Sequence, residues 1–155
     1  MLAYIYCMTD PALQSVLRLL QSAQIIEARL AGEFSSIHGL SINELFLLMQ
    51  LEHAPLCRLP RVELAKRLNT SASTVTRMAA PMEKMGLVSR QSDARDARLA
   101  FVVLTEAGAT RVAEARATLA KQSTYVFRDR WRPKEIKQLS ELLGRLVAGS
   151  PGDLT

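Results

Sequence analysis

The sequence predicts a mainly α-helical fold that carries one small β-hairpin. Three features of the 155 residues lead to this prediction. Apolar residues recur at helical spacing along most of the chain, two short strand-like runs occur between residues 87 and 104, and glycine and proline separate the segments. A chain of this length can bury a real core, as one domain or as one domain with helical extensions.

Two helices are predicted in the first third of the chain. Asp10 suits an N-cap before a proline at the first helical position, and Gly39 suits the residue after the helix. The apolar residues of this first helix recur near helical spacing: Leu13, Val16, Leu17, Leu20, Ala23, Leu30, Ala31 and Phe34. Ser41 and Glu44 form a capping box for a second helix, which is apolar on nearly every side and is therefore expected to be buried.

The next segment predicts a helix-turn-helix. After a connection over residues 54–60, a third helix begins at Pro60 or Arg61, and a polar turn leads into a fourth helix over residues 72–85. On a helical wheel, one arc of the fourth helix is apolar: Val75, Met78, Ala79, Met82 and Met85. The opposite arc carries small and polar residues with two cations: Ser73, Arg77, Ala80 and Lys84, with Thr76 at its edge. Taken alone, this second arc also fits an ordinary solvated face.

A hairpin and two more helices complete the predicted order. The strands cover residues 87–91 and 99–104, and their loop carries two acidic and two basic residues: Asp93, Arg95, Asp96 and Arg98. Thr105 is a predicted N-cap for a fifth helix that continues to about residue 130. After a break at residues 131–133, a sixth helix shows an apolar stripe: Ile136, Leu139, Leu142, Leu143, Leu146 and Val147. This stripe suits packing against another helix, of this chain or of a second copy.

Positive charge is concentrated in the helix-turn-helix and the hairpin. The net charge is +5, and residues 61–98 alone hold eight basic and four acidic residues. A basic patch is the electrostatic footprint of a protein that binds a polyanion. Helix-turn-helix units place their second helix in the DNA major groove, and a basic hairpin tip beside it can reach a minor groove. The sequence therefore predicts double-stranded DNA as the partner; the alternative is a protein-interaction module with a merely solvated basic surface.

Several other classes of protein are not expected. No apolar run approaches the roughly 18 residues that span a membrane, and residues 1–7 lack the basic start and cleavage site of a signal peptide. These seven residues are expected to form a loose arm, with Met8 as an alternative start of translation. Two cysteines cannot make a disulfide framework, which favours a reduced, cytoplasmic location. No phosphate-binding glycine loop, Ser-His-Asp set or catalytic carboxylate pair is evident, so we expect neither enzymatic activity nor a cofactor.

Five motifs of the chain resemble those of the MarR family of bacterial transcriptional regulators. They run from the third helix to the start of the fifth: VELAKRL (62–68), SASTVTR (71–77), MEKMGLVSR (82–90), DARDAR (93–98) and LTEAG (104–108). Many helix-turn-helix families share the first part, but few continue into this hairpin, or wing, and this junction. The surrounding order of helices extends the resemblance over nearly the whole chain.

The resemblance implies a homodimeric winged helix-turn-helix protein. Residues 1–40 and 105–155 would form a helical dimerisation region, and residues 41–104 the DNA-binding domain. A two-fold dimer implies a pseudo-palindromic operator whose half-sites lie about one helical turn, roughly 10 base pairs, apart. Family members are commonly repressors released by a small aromatic or phenolic ligand, by a metal or by cysteine oxidation. We therefore expect a repressor, released by a small-molecule ligand.

The predicted DNA-contacting residues lie on the fourth helix and the wing: Ser71, Ser73, Thr74, Thr76, Arg77, Lys84, Arg95 and Arg98. Arg77 is expected to read bases, because arginine bonds guanine bidentately, while Lys84 meets phosphate. The four hydroxyls and the amides at the helix N-terminus suit phosphate oxygens. For Ser71, a role as a helix cap alone is equally consistent with the sequence.

Two wing residues have different expected roles. Arg95 matches the family arginine that enters the minor groove, where a narrow groove has an enhanced negative potential. Arg98 belongs to the predicted contact set, although an ion pair with Asp93 that braces the loop is the favoured role for both residues.

The cysteines and histidines allow a second alternative, a thiol- or metal-responsive sensor of the same family. Cys7 resembles the family's peroxide-sensing cysteines, with two tyrosines nearby, but no basic neighbour is evident to stabilise a thiolate. Cys57 is expected to be a small buried hydrophobe. His38 and His53 lack the tight spacing of zinc ligands and are expected to be solvated or capping residues.

Overall fold

The computed structural model describes residues 10–92 and 100–154, without the side chain of Glu33. In these ranges the chain forms six α-helices, one 3-10 turn and a three-stranded sheet. The helices are α1 (Pro11–His38), α2 (Ile42–Glu52), α3 (Arg61–Arg67), α4 (Ala72–Lys84), α5 (Glu106–Val126) and α6 (Pro133–Val147). The strands are β1 (Arg58–Pro60), β2 (Val88–Ser92) and β3 (Ala100–Leu104). The predicted mainly α fold with a small β-wing is confirmed.

Local signals in the sequence determine where the first two helices begin and end. The Asp10 carboxylate accepts a hydrogen bond from the Ala12 amide at 2.9 Å, and Gly39 ends α1 with a left-handed φ of 65°. Ser41 and Glu44 form the predicted capping box at the start of α2. The helix boundaries follow the predicted ones because each is fixed by residues within one turn of it.

The sheet contains a strand that the sequence analysis did not predict. Residues 54–60 were expected to be only a connection, but Arg58–Pro60 forms β1 and pairs with β3 in antiparallel order, with Arg58 opposite Val103. The sheet order is β1-β3-β2, so the hairpin strand β3 lies in the centre. Three residues are too few to show an alternating pattern, and a proline normally argues against a strand. As an edge strand, β1 can nevertheless accommodate Pro60.

The fifth helix is shorter than predicted. It ends at Val126 rather than near residue 130, and Asp129 adopts a left-handed φ of 64°. The rings of Phe127 and Trp131 meet edge to face, with their centroids 5.8 Å apart. This aromatic contact lies across the turn that leads to α6.

The core is built around α2, as its apolar sequence predicted. Four leucines of α2 are buried with side chains from α1, α3, α4, the sheet and α5. The fully buried side chains of this core include Phe34, Leu40, Leu45, Leu47, Leu48, Leu51, Leu64, Val75, Met82 and Val112. The helix-turn-helix and the sheet therefore share one core with the C-terminal part of α1 and the N-terminal part of α5.

The junction between β3 and α5 explains the LTEAG pattern. Thr105 caps α5 by accepting a hydrogen bond from the Gly108 amide at 3.0 Å, and its hydroxyl donates to the Gly86 carbonyl at 2.7 Å. A Cβ built on Gly108 would overlap the carbonyl oxygen of Leu87. Glycine is required here because the helix lies directly against the backbone at the start of the wing, which fixes the wing relative to α4.

The long terminal helices leave much of their apolar surface uncovered. On α1, the exposed residues include Val16, Leu17, Leu20 and Ile25. On α6, no residue is buried, and Leu142, Leu143, Leu146 and Val147 are exposed. Neither helix is long and apolar enough to cross a membrane, and the same holds for the other helices in the described ranges.

Candidate nucleic-acid interface

Helix α4 has the two faces that the sequence predicted. Val75, Ala79 and Met82 are buried in the core, while Ser73, Arg77 and Lys84 are exposed. The one departure is Met85, which was placed on the apolar arc but is 45% exposed, because the helix ends at Lys84 and Met85 only caps it. The exposed face is therefore polar and positively charged along the length of the helix.

The N-terminus of α4 carries a connected group of hydroxyls. Ser71 caps the helix by accepting a hydrogen bond from the Thr74 amide at 3.1 Å. Its hydroxyl also lies 2.8 Å from that of Ser73 and 2.9 Å from that of Thr74. Ser71 is thus a helix cap, which is one of the two roles considered for it. It also keeps the hydroxyls of Ser73 and Thr74 at the N-terminus of α4, which is the positive end of the helix dipole.

Thr76 is turned toward α3. Its hydroxyl donates to the Ala72 carbonyl at 2.9 Å and accepts from the Arg61 guanidinium at 3.3 Å. Arg61 begins α3, so the hydrogen bond places a second guanidinium beside α4. Arg61 is part of the predicted basic patch but not of the predicted set of DNA-contacting residues. The sequence signal that could have identified Arg61 is its position at the start of the helix that precedes the turn.

Ion pairs reduce the basic patch without removing it. Arg67 pairs with Glu63 at 3.3 Å and Arg90 pairs with Glu83 at 2.9 Å. Four other cations of the helix-turn-helix are exposed and form no ion pair with another described residue: Arg61, Lys66, Arg77 and Lys84. Within the described ranges, positive charge without an ion-pair partner is therefore left on α3 and on the outer face of α4.

Arg58 is a further basic residue that was not among the predicted site residues, because β1, the strand that carries it, was not predicted. Its guanidinium lies 4.8 Å from the centre of the Phe101 ring and donates to the Gln91 side chain at 3.0 Å. These three side chains come from the three strands of the sheet. Arg58 therefore ties the three strands together near the loop end of the wing.

Several predicted site residues lie outside the described residues. They are Asp93, Arg95 and Arg98 in the wing loop and Cys7 in the N-terminal arm. The minor-groove role of Arg95, the brace between Asp93 and Arg98 and the redox interpretation of Cys7 stay predictions.

The other sensor candidates differ partly from expectation. Cys57 was expected to be buried but is exposed. It ends the 3-10 turn Pro55–Cys57, in which Leu56 and Cys57 have left-handed φ values of 57° and 50°. His38 was expected to be solvated or capping but is only 5% exposed, packed on the Phe34 ring, with its Nε2 atom 2.9 Å from the Thr118 hydroxyl. His53 is a capping residue, as expected: its Nδ1 atom lies 2.8 Å from the Met49 carbonyl.

A separate cavity of about 520 Å³ lies between α1 and α5. Its walls are partly apolar, with Leu30, Ile37 and Val126, and partly polar, with Tyr125 and two cations, Arg29 and Lys121. An apolar cavity with a few polar groups is the usual form of a small-molecule site.

The similarity to known proteins matches this geometry. Residues 40–99 match the model of the MarR family. The structure of the Streptomyces coelicolor MarR family transcriptional regulator Sco3205, determined in complex with DNA, is 28% identical, covers 90% of each chain and superposes with a TM-score of 0.75. The chain resembles the MarR family in sequence over residues 40–99 and in fold over most of its length.

Other proteins are similar in sequence or in fold. The HTH-type transcriptional regulator YdgJ of Bacillus subtilis (strain 168) is 30% identical over 98 residues, which are 63% of this chain. The match spans 58% of the length of YdgJ. The wild-type MarR protein of E. coli in its apo form is 23% identical, covers 84% of this chain and 94% of its own, and has a TM-score of 0.72. This last similarity concerns the fold alone, and it extends beyond the helix-turn-helix to the terminal helices.

Proposed function

We propose that this chain is a transcriptional regulator of the MarR family that binds a pseudo-palindromic operator as a homodimer and acts as a repressor. The observation that carries the proposal is the outer face of α4, which presents Arg77 and Lys84 to solvent without an ion-pair partner among the described residues. A helix with small and polar residues and exposed cations on one face suits the DNA major groove. The complex of Sco3205 with DNA supports the same class of partner.

The dimer is supported by the uncovered apolar residues of α1 and α6. Leu142 is 59% exposed and Leu146 is 69% exposed in the single chain. Such contiguous apolar surface is characteristic of a contact with another protein. A two-fold contact through these helices would hold the two copies of α4 at a fixed separation, and occupation of both half-sites would exclude other proteins from that DNA.

Release by a small aromatic or phenolic ligand is supported by the cavity between α1 and α5. A phenol or an aromatic acid has an apolar ring for Leu30 and Val126, and an anionic group for Arg29 or Lys121. The cavity lies between a terminal helix and the helix that leads out of the wing, so its occupant can change the angle between them. Titration of a DNA complex with aromatic acids tests this part of the proposal, and Lys121→Ala should weaken the response without changing DNA binding in the absence of ligand.

The direct test of the proposed function is selection of a DNA sequence by the wild-type protein. Duplexes enriched from a randomised library should converge on an inverted repeat whose half-sites are centred about one helical turn, roughly 10 base pairs, apart. Footprinting on the intergenic DNA upstream of the gene should then locate such a site. A library that shows no enrichment over several rounds would overturn the proposal in favour of a protein-interaction module.

A further inference from the structure

The chain does not end with α6 but folds back onto the helix-turn-helix. Residues 150–154, here called the C-terminal tail, form turns in which the Ser150 amide donates to Val147 at 3.0 Å and the Asp153 amide donates to Ser150 at 3.2 Å. The side chain of Gln50 then donates to the Gly152 carbonyl at 2.8 Å. Gln50 belongs to α2 and is only 2% exposed, so a buried amide of the core binds the tail.

A second contact joins the tail to the end of α3. A Cβ built on Gly152 would overlap the carbonyl oxygen of Arg67, and its φ is outside the left-handed range. Glycine is therefore needed at this position for close approach and not for an unusual backbone conformation. Arg67 is the last residue of α3, directly before the turn that leads to α4.

The tail also approaches α4 itself. Leu154 lines a groove of about 440 Å³ together with Phe46 of α2 and with Thr74 and Met78 of α4. The tail thus contacts α2 and α3 and faces α4 across this groove.

The attachment matters because α6 has little other support from the part of the chain that the structure describes. No residue of α6 is buried, and its exposed apolar residues are the proposed dimer contact. The N-terminus of α6 follows the turn at residues 127–132, and its C-terminus leads directly into the tail. A contact made on α6 by a second copy is therefore transmitted to the helix-turn-helix through a few residues.

We infer that the C-terminal tail fixes the helix-turn-helix relative to α6 and thereby sets the half-site spacing that the dimer accepts. The inference rests on the proposed function. Gly152 and Gln50 act as positioning residues: they hold the helix-turn-helix in place through α2 and α3 and have no contact with DNA in this role. A detached tail leaves each helix-turn-helix intact but allows the separation of the two recognition helices to vary.

Three full-length variants and one truncation test the inference. Gly152→Val replaces the close approach with a clash, Gln50→Leu removes the amide donor at similar volume, and a stop codon after Ala148 removes the tail. Gly144→Ala is the control on α6, because a Cβ there meets nothing within 4 Å. Each protein is measured by sedimentation, by hydrogen exchange without DNA, and by binding to selected duplexes whose half-sites are moved closer or farther by one base pair.

The expected result is a dimer with faster amide exchange at the end of α3 and a loss of spacing discrimination. Wild type and Gly144→Ala should bind duplexes of one half-site spacing at least tenfold more tightly than the other two. Gly152→Val, Gln50→Leu and the truncation should bind all three spacings with affinities that agree within about threefold. Gln50→Leu keeps every residue of the tail and removes only the hydrogen bond that holds it. It therefore separates the effect of a detached tail from the effect of a missing one. Exchange and spacing preference that stay at wild-type values in Gly152→Val and in the truncation would overturn the inference.

Two other outcomes are equally decisive. Faster exchange with an unchanged spacing preference would show a docked tail that only stabilises the fold, and would also overturn the inference. A wild-type protein that binds none of the duplexes would overturn the proposed function and with it the role in spacing. Exchange in the DNA-free protein would still report tail docking, so the two failures are distinguishable.

Discussion

At the scale of single residues, Arg77 and Lys84 share one face of α4 but differ in their position along it. They are seven positions apart in the sequence, which is about 10 Å along the helix axis. Arg77 is nearer the N-terminal end, where Ser71 and Ser73 lie, and Lys84 is at the C-terminal end. In helix-turn-helix proteins the N-terminal residues of the recognition helix contact the base edges.

We therefore predict different losses for the two side chains. Arg77→Ala should cost about 1–3 kcal/mol on the selected duplex and relax discrimination at one base pair, because a bidentate base contact is removed. Lys84→Ala should weaken all duplexes to a similar extent, because phosphate contacts carry no sequence information. Binding of a set of single-base variants measures both effects. Arg77→Ala with unchanged affinity for selected and random duplexes would show that the wrong face was assigned to DNA.

A second prediction at this scale concerns the wing residues, which lie outside the described residues. If Arg95 enters the minor groove, Arg95→Ala should lower DNA affinity severalfold or more, reduce the salt slope by roughly one unit and leave the melting temperature unchanged. Arg98→Ala should instead cost less than about 1 kcal/mol of stability, because a surface ion pair with Asp93 is lost. Calorimetry and DNA titration of both variants separate the roles. Wild-type affinity in both would remove the wing from the DNA interface.

At the scale of secondary structure elements, the sequence predicted those features that depend on residues close together in the chain. The amphipathic spacing of α4 and the caps at Asp10, Ser41 and Thr105 each depend on residues within a few positions, and each is present. The strand β1 depends instead on its pairing with β3, more than 40 residues away, and three residues carry no periodic signal. The missed strand also concealed Arg58, whose partners Gln91 and Phe101 come from the other two strands.

Burial of single side chains was less predictable for the same reason. His38 is buried because α5 supplies Thr118 as a partner, and the Arg111 guanidinium donates to the His38 carbonyl at 2.6 Å. Cys57 is exposed in a turn where it and Leu56 have left-handed φ values. Neither fact follows from the neighbours in the sequence. The tail contact with Gln50 joins residues 102 positions apart and was likewise not foreseen.

The junction between the wing and α5 gives the prediction at this scale. Gly108→Ala should destabilise the fold by roughly 1–3 kcal/mol, since the new Cβ would overlap the Leu87 backbone and the surroundings must shift. Gly32→Ala is the matched control within a helix, because a Cβ there meets nothing within 4 Å, and it should be neutral or stabilising. Denaturant unfolding of the two variants measures the difference. Equal stability would contradict the close approach of α5 to the wing.

At the scale of the whole molecule, the terminal helices must find a partner for their apolar surface. The exposed leucines of α6 and the exposed apolar residues of α1 lie outside the core that the helix-turn-helix shares with α2. A single chain with this surface in water would tend to associate. The regulator is therefore expected to work as an assembly in which DNA-binding domains are joined by helices.

We predict that the wild-type protein sediments as a dimer at micromolar concentration. Replacing both Leu142 and Leu146 with Asp should produce monomers with greatly reduced operator binding, because burial of two carboxylates in an apolar contact is costly. Ser140→Asp on the same helix is a control for added charge. A wild-type monomer at micromolar concentration would contradict the proposed assembly, and a dimeric double variant would contradict the assignment of α6 to the contact.

The central proposal is that the outer face of α4 binds DNA in a sequence-specific manner. The most direct test is the affinity of the wild-type protein for its selected duplex and for a scrambled duplex of equal length, measured over a range of salt concentrations. If several cations contact phosphates, the logarithm of the affinity for both duplexes should fall steeply and linearly with the logarithm of the salt concentration. Base contacts predict that the selected duplex stays at least about a thousandfold tighter at physiological salt. Equal affinity for the two duplexes at every salt concentration, or no binding to either, would contradict the proposal.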